Sequence, residues 1–236
     1  MIDFRIHWKA ETDSTNEDAL KGAHGDVYAA DYQRAGRGRI GHRWVSPPGV
    51  NLMCSVVLDV GGMDISRAAT LPLVVGLAVR RVTGGLLKWP NDILVNGRKI
   101  AGILCERHGD IVVCGIGVNV NVESFPEEIS STATSMKIEG VDSSPRKTLS
   151  RILKELSDVY DVWREFGFDG LIGEYSRFDA LKGRRIKVMK VDGDANPVEG
   201  LSKGVQVDGT LLVGEEIVSA GEAHVLKEGL WAGLAE

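Results

Sequence analysis

The sequence has few cysteines, and Cys54, Cys105 and Cys114 all stand in apolar runs without Cys-x-x-Cys or Cys/His spacing. This argues against a disulfide framework and against a thiolate zinc site, and the three read as small buried side chains in a reducing compartment. Long apolar runs are missing too. Nothing approaches the roughly 18 uninterrupted apolar residues of a membrane span, and the start, Met1-Ile2-Asp3-Phe4-Arg5, has no apolar h-region. The expectation is a soluble cytosolic protein. A surplus of positive charge is also lacking: 28 Lys+Arg against 33 Asp+Glu leave a net charge of −5. That excludes a surface built to coat nucleic acid, so any basic function must be local. There is no internal repeat and no low-complexity tract. Hydrophobic residues make up 43% of the 236 positions, ample for a core in one large or two unequal domains.

Against this acidic background, Arg34, Arg37, Arg39 and Arg43 crowd into one short stretch between Tyr32 and Asn51. Gly36, Gly38 and Gly41 sit among them, so the backbone can turn and its N–H groups can approach an anion. Gly36 to Gly41 formally matches G-x-G-x-x-G. The context rejects a dinucleotide fingerprint, because Ser46-Pro47-Pro48-Gly49 cannot continue into a helix and no βαβ unit surrounds it. Two readings stand: a mobile loop whose arginine forks grip phosphate or carboxylate, and a solvated arginine-rich loop.

Strands are expected over Arg5 to Lys9, Val27 to Gln33 and Leu52 to Val60, so the arginine loop joins two buried strands. Ser14 and Glu17 have capping-box spacing ahead of a short helix, and Ser14 to Asn16 read equally as a cap or as a holder of a small polar ligand. Helical spacing over Ser66 to Val82 contains Pro72, a first turn or a break, and Gly84-Gly85 ends it. Asn96-Gly97 marks a hairpin, and with a second turn at Gly109-Asp110 predicts three consecutive antiparallel strands up to Val122. Pro145 opens an amphipathic helix, and a shorter helix spans Asp169 to Phe178. From Gly183 the texture becomes short β-like runs: Arg185 to Val191, Val205 to Val207, Thr210 to Val213, Glu216 to Val218 and Ala223 to Leu226. The pattern is α+β, with a mixed, mainly antiparallel sheet over 1–181 and a small barrel over 182–236.

Two further groups carry chemistry. Lys88-Trp89-Pro90-Asn91-Asp92, with Lys99 across the predicted hairpin, brings two cations, an amide and a carboxylate able to hold a metal ion to one strand junction. Trp89 and Pro90 are expected to pack, and Lys88 with Asp92 alone would be a surface ion pair of little worth. Gly115-Ile116-Gly117-Val118-Asn119-Val120-Asn121 permits close backbone approach in a strand, and its Asn residues could read an adenine edge or tie the structure.

Taken together, Ser14-Thr15-Asn16, Gln33 to Trp44, Lys88 to Asp92, Arg98-Lys99-Ile100-Ala101-Gly102 and Gly115 to Asn119 resemble, in order, the motifs of the biotin protein ligases. The resemblance covers nearly the whole chain. It implies a class II synthetase-like catalytic domain followed by an SH3-like domain, and, since the first motif begins by Asp13, an enzyme without the DNA-binding domain of the repressor members. It also implies that biotin and ATP, with Mg²⁺, form biotinyl-5′-AMP, and that biotin then passes to a lysine of a biotin carboxyl carrier protein. By the same resemblance Lys99 and Arg37 are catalytic, and Ser14, Thr15, Asn16, Gln33, Gly36, Gly38, Arg39 and Gly102 join them in holding biotin. ATP would be met by Arg37, Gly38, Arg39, Trp44, Lys88, Asn91 and Asn119, with Asp92 positioning Mg²⁺. Ile40 departs from the family, where many members carry another basic residue, and Asp192 to Pro197 and Ser219 to Ala223 match only loosely. Some members dimerise by pairing sheets, so a homodimer is a possible assembly. The competing readings are a lipoate ligase, which shares the acyl-adenylate logic, and a nucleic-acid-binding module.

Overall fold

The computed structural model describes residues 1–191 and 196–226. Residues 192–195, part of the Asp192 to Pro197 segment, and 227–236, the end of the expected C-terminal domain, lie outside the described residues. Seven strands, β1 (Arg5–Thr12), β2 (Asp26–Gln33), β3 (Leu52–Asp59), β4 (Leu86–Lys88), β5 (Asp92–Val95), β6 (Arg98–His108) and β7 (Ile111–Val118), form one sheet in the order β1-β2-β3-β7-β6-β5-β4. Only the β1–β2 pair is parallel, so the α+β, mainly antiparallel expectation holds. The meander from β4 to β7 has four strands where three were expected, because the Pro90-Asn91 turn closes a hairpin of its own. Asn96 and Gly97 both take positive φ, 50° and 76°, as a type I′ hairpin requires.

Alternation along the strands gives the sheet two faces. Cys54, Val56 and Leu58 on β3, Cys114, Ile116 and Val118 on β7, and Ala101 and Ile103 on β6 join one apolar core with α3 (Leu71–Thr83) and α5 (Pro145–Phe166). In α5 the apolar period places Leu149, Ile152, Leu156, Tyr160 and Trp163 on the buried side, and Ser144 caps it by accepting from Lys147 N. The region of Pro72 is a break and a restart: α2 (Ile65–Ala68) ends before α3 begins, with Pro72 in the first turn, where its missing N–H costs nothing. The opposite face carries α1 (Thr15–Ala19), whose Ala19 packs on Val57 and Val113. Ser14 precedes α1 but makes no side-chain cap bond, so the capping box does not form. Instead Thr15 N is taken by Gln33 Oε1 at 2.7 Å.

After α4 (Glu127–Ser130), α5 and α6 (Asp169–Arg177), five short strands build a second, antiparallel sheet in the order β11-β10-β9-β8-β12. They are β8 (Arg185–Met189), β9 (Val198–Val205), β10 (Leu211–Val213), β11 (Glu216–Val218) and β12 (Glu222–Val225). The expected strand over Val205 to Val207 is mostly displaced: β9 ends at Val205, and its earlier residues escaped notice because Gly200 and Gly204 interrupt the alternation. Trp89 packs as expected, and its Nε1 donates to Gly209 O at 3.0 Å, tying the two sheets. Asp179 sits at the same junction, accepting from Leu181 N and Val205 N; burial pushes its pKa up against those bonds. Among the described residues no helix is long and apolar enough to cross a membrane. Cys54 and Cys114 are buried free thiols and Cys105 is half-buried; burial pushes Cys54 up to about 12.

Candidate active site

The face opposite α3 and α5 holds a cavity of about 60 Å³ lined by residues of all the expected motifs: Ser14, Thr15, Asn16, Gln33, Arg37, Gly38, Arg39, Trp44, Asn91, Lys99, Gly102 and Gly117 among them. Its floor follows from the sheet register. Ser55, Gly115 and Leu104 lie side by side across β3, β7 and β6, and Met53, Gly117 and Gly102 form the next row. The glycines in these rows make room for side chains from above. A Cβ on Gly115 would collide with Asn16 Oδ1, and one on Gly117 would lie 2.5 Å from Trp44 Cε2.

One wall is polar and uncharged. Gln33 Oε1 accepts from Thr15 N and lies 3.0 Å from Thr15 Oγ1, while Ser55 Oγ lies 2.7 Å from Thr15 Oγ1 and 2.6 Å from Asn16 Oδ1. The Asn16 amide is fully committed to protein partners, its Nδ2 donating to Glu106 Oε2 at 2.6 Å and to Leu104 O at 3.4 Å. Ser14, free of capping duty and only 2% exposed, and the Gln33 amide nitrogen remain to meet a ligand.

The arginine loop, between β2 and β3, is itself a small hairpin. Gly38 N donates to His42 O, Trp44 N to Gly36 O, and His42 N to Arg39 O across a turn whose central residues, Ile40 and Gly41, have φ of 52° and 75°. Its arginines divide by role. Arg34 is held by Glu11 and Asp13, and Arg43 braces the loop on Arg34 O. Arg37 and Arg39 line the cavity. Arg37 Nη2 lies 3.2 Å from Glu106 Oε2, and Arg39 Nη1 donates to Gly221 O at 3.4 Å. Burial draws the Arg39 guanidinium below its ordinary value, with Glu222 and Asp92 opposing.

Lys99, at the start of β6, stands 2.6 Å from Asp92 Oδ1 and 5.9 Å from the centre of the Trp44 ring. Lys99 Nζ is the partner of the buried Asp92 Oδ1, which takes no other hydrogen bond among the described residues, and Trp44 Nε1 is buried without a partner. Among the described residues no group of three His, Cys, Asp or Glu could cage a metal ion. Asp92 fits a single contact to an ion carried by phosphates, since magnesium bound with a nucleotide needs only one or two carboxylates.

Asn91, Gly102 and Gly36 are in or against the cavity, and Asn91 Nδ2 donates to Ile103 O. Three other expected residues do not line the cavity. Lys88 and Asp92 face a separate small cleft with Tyr175, Asp92 reaching the cavity only through its contact with Lys99, and Asn119 spends its amide on Thr134 O and on the Asn51 side chain. Sequence reasoning missed Ser55, Glu106 and Glu222. A lone serine within the apolar run Met53 to Leu58 was the only available signal, while Glu106 and Glu222 have none without the register.

The sequence and the fold match known proteins. At the level of class, residues 6–122 match the Biotin/lipoate A/B protein ligase family. Among relatives, the biotin–[acetyl-CoA-carboxylase] ligase of Mycobacterium tuberculosis is 35% identical, over 92% of this chain and 88% of that protein. The bifunctional ligase/repressor BirA of Escherichia coli is 31% identical over 81% of this chain, which spans 62% of BirA's length. The solved structure of a biotin protein ligase from Aquifex aeolicus in complex with biotin and ATP superposes with a TM-score of 0.80 at 30% identity, covering 94% of this chain and 98% of that one. This chain belongs to the biotin protein ligase family.

Proposed function

We propose that the chain is an ATP-dependent biotin protein ligase that forms biotinyl-5′-AMP and then biotinylates a lysine of a biotin carboxyl carrier protein. The observation that carries this reading is the meeting, in one cavity, of an uncharged hydrogen-bonding wall with the cations Arg37, Arg39 and Lys99. A neutral ureido ring suits the Ser14–Gln33 side, and the carboxylate end of the same ligand then points at the cations. Attack of that carboxylate on the α-phosphorus of ATP brings two anions together. At ~4 Å and an effective dielectric near 20 each pair of charges repels by about 4 kcal/mol, which Lys99 and the loop arginines offset. The carboxylate oxygen bonds to phosphorus, pyrophosphate leaves, and the acceptor amine later attacks the anhydride carbonyl and expels AMP. Trp44, with its unpaired N–H beside Gly117, is the side chain placed to cover the adenylate. Asp92 would contact Mg²⁺, which screens the phosphates; Lys88 and Asn119 act from outside the cavity, and Asn16 acts by bracing the wall. On this reading residues up to 181 carry the chemistry and the smaller sheet from 182 supports the loop through Gly221.

Biotin-stimulated exchange of pyrophosphate into ATP, followed by transfer to a purified carrier domain, tests this directly. Stimulation by lipoate in place of biotin would overturn the substrate, and salt-sensitive nucleic-acid binding without exchange would overturn the enzyme class.

A further inference from the structure

Glu106 lies on the cavity face of β6 and has no part in the reaction as set out above. A single oxygen, Oε2, accepts from Asn16 Nδ2 at 2.6 Å and from Arg37 Nη2 at 3.2 Å. It therefore joins the polar wall to the arginine loop. On the wall side the contacts run from Asn16 through Ser55 and Thr15 to Gln33, so Glu106 terminates a continuous chain of polar groups. On the loop side, among the described residues, the Arg37 guanidinium has no closer carboxylate: Glu17 Oε1 is 3.8 Å from Nη1. The Arg37 and Glu106 side chains are 46% and 32% exposed. Ion pairs this accessible are weak and exchange readily for a more highly charged anion. A nucleotide's phosphates are such an anion.

We propose that Glu106 is a positioning residue for adenylation: it parks Arg37 against the pocket wall, yields it to the incoming phosphates, and braces Asn16 throughout. The inference rests on the ligase reading for its substrates, but the parking of Arg37 can be read without turnover. Glu106→Gln keeps an acceptor for Asn16 and removes the charge that competes for Arg37; Glu106→Ala removes both.

The test is KM for biotin and for ATP in pyrophosphate exchange, with pyrophosphate affinity by calorimetry and a thermal melt for each variant. Glu106→Gln should leave the biotin KM within about 2-fold while the ATP KM and the pyrophosphate Kd fall by about 2- to 5-fold, the span expected for releasing one exposed ion pair. Glu106→Ala should, in addition, raise the biotin KM by about 5- to 10-fold through the loosened Asn16. An unchanged or weaker pyrophosphate affinity in Glu106→Gln would overturn the proposal, as would equal loss of both KM values in step with a lowered melting temperature. Tighter pyrophosphate binding by Glu106→Gln, with no biotin-dependent exchange in the wild type, would instead keep the parking of Arg37 and sink the ligase reading.

Discussion

Lys99 and Arg37 reach the cavity from different elements, one from the start of strand β6 and one from the loop, and each is held by a carboxylate it can exchange. Removing either takes away charge stabilisation that no neighbour replaces. Lys99→Ala and Arg37→Ala should each slow adenylation by about 100-fold or more while changing stability by under about 1 kcal/mol. Single-turnover formation of the adenylate, set beside a melt of each variant, checks both halves of that statement. Ile40 calls for the opposite experiment. It occupies the position of a type I′ turn that Asn96 fills in the β5–β6 hairpin, yet a β-branched side chain at φ 52° is strained. Ile40→Asn should stabilise the loop by about 1 kcal/mol and raise Tm by about 2–4 °C, measured by calorimetry. A lower Tm would show that Ile40, half exposed, makes an apolar contact worth more than its strain.

At the scale of elements, the pairing of β3, β7 and β6 decides what the cavity can accept, because Gly115 and Gly117 seat two side chains that nothing else would admit. Gly117→Ala meets the fused bond at the middle of the Trp44 indole, so the whole ring must be displaced and nucleotide binding should weaken by several-fold. Gly115→Ala meets Asn16, which is bonded on both sides, so it should weaken biotin binding and lower Tm together. Isothermal titration with each ligand separates the two. Much of this was legible beforehand: the loop between two buried strands, the Asn-Gly hairpin, the break at Pro72 and the long α5 all follow from local pattern. What was not legible depends on register. Ser55 and Glu106 converge on Asn16 only because β3, β7 and β6 align, and Asn119 stays out of the cavity because Thr134 and Asn51 claim its amide. Strand β9 was misplaced because its glycines hide the period of two.

For the whole molecule, the edge of the large sheet is pinned by charge. Asp26 accepts from Ala23 N and Arg5 Nε, both at 2.8 Å, and His7 Nε2 is 3.3 Å away, which ties β1 to β2. The Ala23 N–H comes first and the Arg5 guanidinium next in holding its carboxyl at about 2, below the ordinary 3.8. A carboxyl depressed on folding contributes stability above its unfolded pKa, and that contribution is lost as pH falls through the folded value. Stability should therefore decline between about pH 4 and pH 2, and Asp26→Asn should lose stability at neutral pH while flattening the acid limb. Urea midpoints across that range measure it; parallel curves for the two proteins would remove Asp26 from the account.

The indole of Trp44 has one more consequence. Trp89 and Trp163 are buried with their N–H groups bonded to Gly209 O and Thr70 Oγ1, so a ligand in the cavity leaves their surroundings alone. Trp44 has no such partner and lies where the adenylate would arrive. The protein thereby carries its own optical probe: saturation with biotin and nucleotide should shift or quench tryptophan emission, and Trp44→Phe should erase most of the change, so that loop closure can be timed in a stopped-flow trace with no label attached.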